Sequence, residues 1–89
     1  MRHVNFSSYS KKFIKKNKSS NPQLLKKIAK VIEGLVKDPM PGGAKKLVGY
    51  EFYRVRVGNY RIVYRYDEEF LYVTIIDKRG QVYNQLKNM

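Results

Sequence analysis

The residues best suited to chemistry lie in one short stretch, Tyr53-Arg54-Val55-Arg56-Val57-Gly58-Asn59-Tyr60-Arg61-Ile62-Val63-Tyr64-Arg65. Two runs of alternating polar and apolar residues flank Gly58-Asn59. Glycine at the first central position suits a two-residue type II′ hairpin turn. Counting outward from that turn sets Val57 against Tyr60, Val55 against Ile62 and Tyr53 against Tyr64 on one face, which reads as core. The other face then carries Arg56 against Arg61, Arg54 against Val63 and Arg65 against Phe52. Like charges directly opposed destabilise a sheet, so arginines gathered in this way read as a binding face for an anion. Arginine offers a planar fork that grips phosphate at two points, whereas lysine is a mobile point charge. The lysines crowd the helical half of the chain and the strands take arginine. That segregation favours a phosphate-binding face over a merely solvated one.

Other candidate chemistry is thin. His3 is the single histidine and stands beside the N-terminus, which excludes a nuclease mechanism built on paired histidines. No group of Asp and Glu has the spacing of a metal site, and Asp67-Glu68-Glu69 reads as a solvated turn. Ser7, Ser8, Ser10, Ser19 and Ser20 have no base partner in their lysine-rich setting. The chain has no cysteine, so disulfides, zinc ribbons and thiol catalysis are excluded. The reading therefore calls for no metal and no cofactor. Tyr83, four residues after Arg79, is placed to reach the basic face.

The elements that must hold these residues follow from spacing. His3 to Phe6 is a first strand. Ser7 or Ser8 caps a helix over Ser8 to Lys18, with Tyr9, Phe13 and Ile14 on one side. Asn17 to Asn21 turns, and Asn21-Pro22 starts a second helix, Pro22 to Lys37. Leu24, Leu25, Ile28, Val31, Ile32 and Leu35 form its apolar stripe. Asp38 to Gly43 is a loop. Gly49 to Val57, Tyr60 to Tyr66 and Phe70 to Asp77 are strands of an antiparallel meander, the last of them central. Lys78 to Gln81 is a loop, Val82-Tyr83 a last short strand or extension, and Asn84 to Met89 a tail. The order β-α-α-β-β-β, with room for one more short strand, predicts an α+β fold: two N-terminal helices on one face of a small twisted, mainly antiparallel sheet.

Eighty-nine residues are room for one small domain, 1–89. Nineteen Lys and Arg against seven Asp and Glu leave a net charge of +12, yet 43% of the chain is hydrophobic and 13% aromatic. It is too apolar for a disordered polybasic tail and is expected to fold. Apolar runs are too short to span a bilayer, and residues 1–6 lack the apolar core of a signal peptide, so a cytoplasmic place is expected. Three large apolar residues over Ser8 to Lys18 are too few for a membrane-surface helix. A charge excess of this size works against compaction and points to a polyanionic partner, nucleic acid first.

AKKLVGYEFYRVRVGNYRIVYRY (Ala44 to Tyr66), followed by IIDKRGQVY (Ile75 to Tyr83), closely resembles the RelE/ParE superfamily of bacterial and archaeal toxins, and most of all its RelE branch. The resemblance covers essentially the whole chain, since the two lysine-rich helices also match in order and length. It implies a ribosome-dependent endoribonuclease that cuts messenger RNA in the ribosomal A site without a metal. It also implies a cytoplasmic, monomeric toxin held inactive by a cognate antitoxin, RelB-like or other, with an acidic or amphipathic segment. Carried over residue by residue, the family's basic catalytic positions fall on Arg54, Arg56 and Arg61, its loop arginine on Arg79 and its terminal aromatic on Tyr83. Some members have Lys at the positions of Arg54 and Arg56, and the common His before the loop arginine is Lys78 here. Arginine stays protonated near neutral pH, which argues against Arg56 as a simple general base. The expected roles are Arg61 and Arg79 as transition-state stabilisers, Arg54 and Arg56 as phosphate binders or proton donors, and Tyr83 as orienter or base. Lys11, Lys12, Lys15, Lys16, Lys26, Lys27, Lys30, Lys45, Lys46, Arg65 and Lys78 are then expected to meet RNA or the ribosome. Two other readings stand beside this one: a ParE-like inhibitor of DNA gyrase on the same scaffold, and a basic nucleic-acid binder without catalysis.

Overall fold

A computed structural model describes residues 1–88. The elements run β1 His3–Phe6, α1 Ser8–Ser20, α2 Pro22–Lys37, β2 Lys45–Lys46, β3 Tyr53–Val57, β4 Tyr60–Tyr66, β5 Phe70–Lys78 and α3 Arg79–Lys87. The fold is α+β, with one five-stranded sheet in the order β1-β5-β4-β3-β2. β1 lies parallel to β5 and the remaining pairs are antiparallel. Among the described residues no helix is long and apolar enough to cross a membrane.

Local chemistry explains the helix ends. The Ser7 hydroxyl accepts from Ser10 N at 3.0 Å and caps α1. α1 then runs to Ser20, two residues past Lys18, because the Asn17 and Ser20 side chains bond back to the carbonyls of Phe13 and Lys16 instead of competing with the helix. The expected turn over Asn17 to Asn21 shrinks to Asn21 alone. That residue closes α1 through its N–H to Asn17 O at 3.0 Å and opens α2 by accepting from Leu24 N at 3.3 Å. α2 buries Leu24, Ile28, Ile32 and Leu35 against Val55, Val57, Ile62, Tyr64, Leu71, Val73 and Ile76. The Tyr64 hydroxyl crosses this layer and donates to Pro39 O at 2.5 Å, which ties down the loop after α2.

The hairpin has the register that its turn dictates. Tyr53 pairs with Tyr64, Val55 with Ile62, Arg56 with Arg61 and Val57 with Tyr60. Gly58 has φ 60° and Asn59 is not in the left-handed region, as a type II′ turn requires. The strand expected from Gly49 begins only at Tyr53. Gly49, at φ 82°, turns the chain so that Leu47 N reaches Phe52 O at 2.9 Å, and two residues, Lys45 and Lys46, make the edge strand β2. The β3–β4 ladder therefore stops at Tyr53, so among the described residues Arg65 has no partner on the β3 side and pairs only with Tyr72 of β5. β4 holds the middle of the sheet, with β5 one place from it.

The end of the chain departs most from the sequence reading. Arg79 to Lys87 is a helix, not a loop followed by a strand and tail; Met89 of that tail lies outside the described residues. α3 lies on the face opposite α1 and α2, where Val82 and Leu86 bury a second core with Val63 and Ile75. The helical layer is thus two-sided, and four successive residues of β4, Arg61 to Tyr64, are buried. A bulge makes this possible on β5. Val63 pairs with Ile75 but Tyr64 with Val73, which leaves Thr74 unpaired. The slip turns Ile75 toward α3 while Val73 and Ile76 stay in the first core.

Candidate nucleic-acid interface

Arg54, Arg56 and Arg61 alternate with Val55, Val57 and Ile62, so all three stand on the α3 face of the sheet. Arg56 and Arg61 are direct ladder partners. Arg61 is only 9% exposed and donates from Nη1 to Tyr60 O at 3.1 Å. Burial first, and then Arg56, Arg54 and Arg79, hold its guanidinium below the usual arginine range, with Tyr83 acting in the opposite sense. No carboxylate is among these influences. Asp77 is the ladder partner of Arg61 on β5, but its carboxylate accepts from the Tyr9 hydroxyl and from Lys78 N at 2.8 Å rather than from the Arg61 guanidinium. A buried cation amid other cations costs free energy unless an anion arrives. Charged groups desolvated beside like charges are found preferentially at functional sites.

The arrangement brings together the five residues singled out for catalysis. Arg61, Lys78 and Arg79 line a shallow pocket of about 470 Å³ between the Gly58-Asn59 turn and the start of α3. The Arg79 N–H donates to Asn59 O at 3.3 Å, which fixes the start of α3 to that turn. Arg54 and Arg56 share a neighbouring concavity with Lys45, and Arg54 shares a further one with Lys45, Lys46 and Tyr83. Tyr83 is 49% exposed. It is held on the outer side of α3 by the burial of Val82 and Leu86.

Other predicted contacts lie elsewhere. The Arg65 guanidinium sits 3.9 Å from the Tyr72 ring centroid, roughly 13 Å along β4 from Arg61 at the rise of a strand, so it is not part of the cluster. Lys11, Lys15, Lys26, Lys27 and Lys30 are exposed on α1 and α2, in the layer behind the sheet. Lys12 and Lys16 line a separate groove with Lys78. Among the described residues no three His, Cys, Asp or Glu side chains gather as a metal site would need. The sequence reading missed two things that shape the site, the α3 layer and the Tyr9–Asp77 contact. The first had a signal, because Val82 and Leu86 have helical spacing and Val63 stands among the arginines. The second had none, since it joins residues 68 apart.

Chemically, the face offers several guanidinium forks, with Arg61 anchored by its bond to Tyr60 O and no carboxylate among the groups that shift it. Such forks bind phosphate bidentately and stabilise the negative charge that develops on a phosphorane. An aromatic residue at the rim can stack on an unpaired base.

Residues 6–83 match the family described as the ParE toxin of the type II toxin–antitoxin system parDE. The chain belongs to this family and is a type II toxin of the RelE/ParE superfamily. Its fold is similar to that of the YoeB/ParE toxin from Agrobacterium tumefaciens, with TM-score 0.78 and 20% identity over 89% of this chain and 99% of that one. It is similar as well to the RelB–RelE antitoxin–toxin complex from Methanococcus jannaschii, with TM-score 0.63 and 26% identity over 89% and 94%. A third similar structure is the E. coli DinJ–YafQ toxin–antitoxin complex, with TM-score 0.70 and 14% identity over 92% and 97%. No curated protein sequence matches the chain.

Proposed function

We propose that this toxin is a metal-free endoribonuclease that cuts messenger RNA in the ribosomal A site. The observation that carries the reading is Arg61, buried, bonded only to a backbone carbonyl and ringed by Arg54, Arg56 and Arg79. Stability alone gives no reason to hold a cation there, and a developing phosphorane dianion does. Arg61 and Arg79 neutralise the transition state, Arg54 and Arg56 clamp the flanking phosphates, and Tyr83 orients the base or exchanges a proton. Attack by the 2′-hydroxyl on the adjacent phosphorus expels the 5′-oxygen, and the 2′-proton leaves as the 5′-oxygen gains one. The solved RelE and YafQ complexes contain antitoxins. A cognate antitoxin with an acidic segment fits this chain equally well. The outer edge of β3 beyond the short β2 is open for an added strand, beside the basic face.

A second reading, gyrase inhibition, draws support from the matched family being that of ParE, and one fold serves both activities. Primer extension on translating ribosomes, run beside a gyrase supercoiling assay, separates them. Cleavage within the A-site codon that disappears with Arg61→Ala is the expected result. Intact message with inhibited gyrase would overturn it, and silence in both would leave a basic binder without catalysis.

A further inference from the structure

A second concavity, of about 360 Å³, opens beside the free edge of β5. β1 pairs with β5 only as far as Val73, and the first turns of α1 take over that edge. The Ser7 hydroxyl donates to Thr74 O at 2.6 Å and the Ser10 hydroxyl to Val73 O at 3.1 Å. Tyr9, Phe13 and Tyr60 give the groove aromatic walls, with Phe13 and Tyr60 meeting edge to face at 5.7 Å between centroids. Lys12, Lys16 and Lys78 line it as well, all exposed. Among the described residues one carboxylate lines it, the half-buried Asp77. Its Oδ2 accepts from the Tyr9 hydroxyl and its Oδ1 from Lys78 N at 2.8 Å. A carboxylate has about four acceptor directions, so each oxygen retains one. Burial and the neighbouring Asp77 push Tyr9 up to about 12, which keeps it a donor across the physiological range.

We propose that this groove holds one nucleotide of an RNA strand continuing from the arginine face, and that Asp77 selects guanine. The inference rests on reading the arginine face as an RNA site. Aromatic walls suit a splayed base, and lysines on the same walls suit its phosphates. A carboxylate with one acceptor direction left on each oxygen matches two adjacent N–H donors, which the Watson–Crick edge of guanine presents at N1 and N2. Uracil presents one N–H between two carbonyl oxygens that the carboxylate repels. Tyr60 and Lys78 line both this groove and the pocket of Arg61 and Arg79, so one strand can occupy the two without leaving the surface. An apolar peptide in the same groove would leave the lysines and the carboxylate without partners, which makes it the poorer occupant.

Amide NMR titration of the full chain with guanosine, adenosine, cytidine and uridine 5′-monophosphates tests this. Guanosine monophosphate should move the Phe13, Asn17, Tyr60 and Lys78 amides at about a tenfold lower concentration than uridine monophosphate, the discrimination one bidentate contact supplies. Asp77→Asn should erase the difference. Tyr9→Phe, which removes the hydroxyl clamp but leaves the carboxylate, should keep it. On ribosomes, Asp77→Asn should likewise flatten the base bias of the cut sites. Equal response to the four nucleotides, no response in the groove, or loss of preference in Tyr9→Phe as large as in Asp77→Asn would overturn the proposal. The last of these would reduce Asp77 to a clamp for α1. A guanosine-selective groove on a chain that cuts nothing on ribosomes would overturn the nuclease reading while upholding this one.

Discussion

Arg61 sets function against stability within a single side chain. It is nearly enclosed, surrounded by guanidinium groups and without a carboxylate partner among the groups that shift it. Replacing a buried charge with an apolar residue of similar volume is commonly stabilising. Arg61→Met should therefore raise stability by about 1 kcal/mol, or about 4–8 °C in melting temperature for a domain of this size, while lowering cleavage at least about a hundredfold. Thermal melts at low salt and primer extension check the two halves, and a variant that melts below the parent sinks the view of Arg61 as a functional strain. Tyr64 behaves in the opposite way. Burial first, then the neighbouring tyrosines and Asp38, push its hydroxyl up to about 12 from 10, and Tyr9 moves to about the same value. The folded state thus keeps both protons where the unfolded chain loses them, so stability is complete below pH 10 and declines between pH 10 and 12. Tyr64→Phe should cost about 1 kcal/mol at pH 7 through the lost bond to Pro39 O and make the alkaline decline shallower. Urea midpoints at pH 7, 10 and 11.5 would show it; an equally steep decline in the variant would mean that Tyr64 does not titrate with unfolding.

At the scale of elements, α3 is the piece on which the site depends and the piece least able to form alone. It has nine residues, no side-chain cap and no acid in its first turn. Helices this short are marginal in water, so Val82 and Leu86 hold it through their contact with Val63 and Ile75. Leu86→Ala should cost about 2–3 kcal/mol and loosen Tyr83 and Arg79 together. Cleavage should then fall well below what the folded fraction, measured by circular dichroism at the assay temperature, accounts for. Activity that merely tracks the folded fraction would show that α3 does not position these side chains. α3 also marks the limit of what was legible in the sequence. The hairpin register from Tyr53 to Tyr64, the placing of Arg54, Arg56 and Arg61 on one face and the stripe of Leu24, Ile28, Val31, Ile32 and Leu35 on α2 each arise from local period and turn chemistry, and they stand in the structure as counted. α3 does not arise that way, because its helical signal is only two apolar residues, and their burial depends on Val63 of β4 and on Ile75, which a bulge turns toward them. The bulge at Thr74 was hidden for a related reason: strict alternation puts Leu71, Val73 and Ile75 on one face, and only the presence of α3 gives Ile75 cause to turn over. The expected Phe52–Arg65 pair does not form because the ladder ends at Tyr53, where Gly49 has already bent the chain.

For the molecule as a whole, the governing quantity is a charge of +12 on 89 residues, and it acts on folding and on binding with opposite signs. Repulsion among the lysines of the helical layer and the arginines of the sheet opposes the compact state. Raising salt from about 20 to 300 mM shortens the Debye length from roughly 20 Å to about 6 Å, which removes most of that repulsion across a molecule whose extents are 33 × 30 × 23 Å. The free toxin should accordingly melt several degrees higher in the more concentrated salt. RNA binding should respond in the reverse direction. If about five cations, the arginines of the face with the adjoining lysines, replace counterions on a single strand, affinity falls about a hundredfold for a fourfold rise in salt. Differential scanning fluorimetry and fluorescence anisotropy with a short RNA, read over the same salt series, test both limbs at once. A melting temperature that falls with salt would mean that the excess charge is already neutralised within the fold. An affinity indifferent to salt would remove the electrostatic basis for reading the arginine face as a phosphate site. An acidic antitoxin acts on both quantities together: by supplying the missing anions it should stabilise the toxin most at low salt, where the unpaired charge is most costly, while closing the face to RNA.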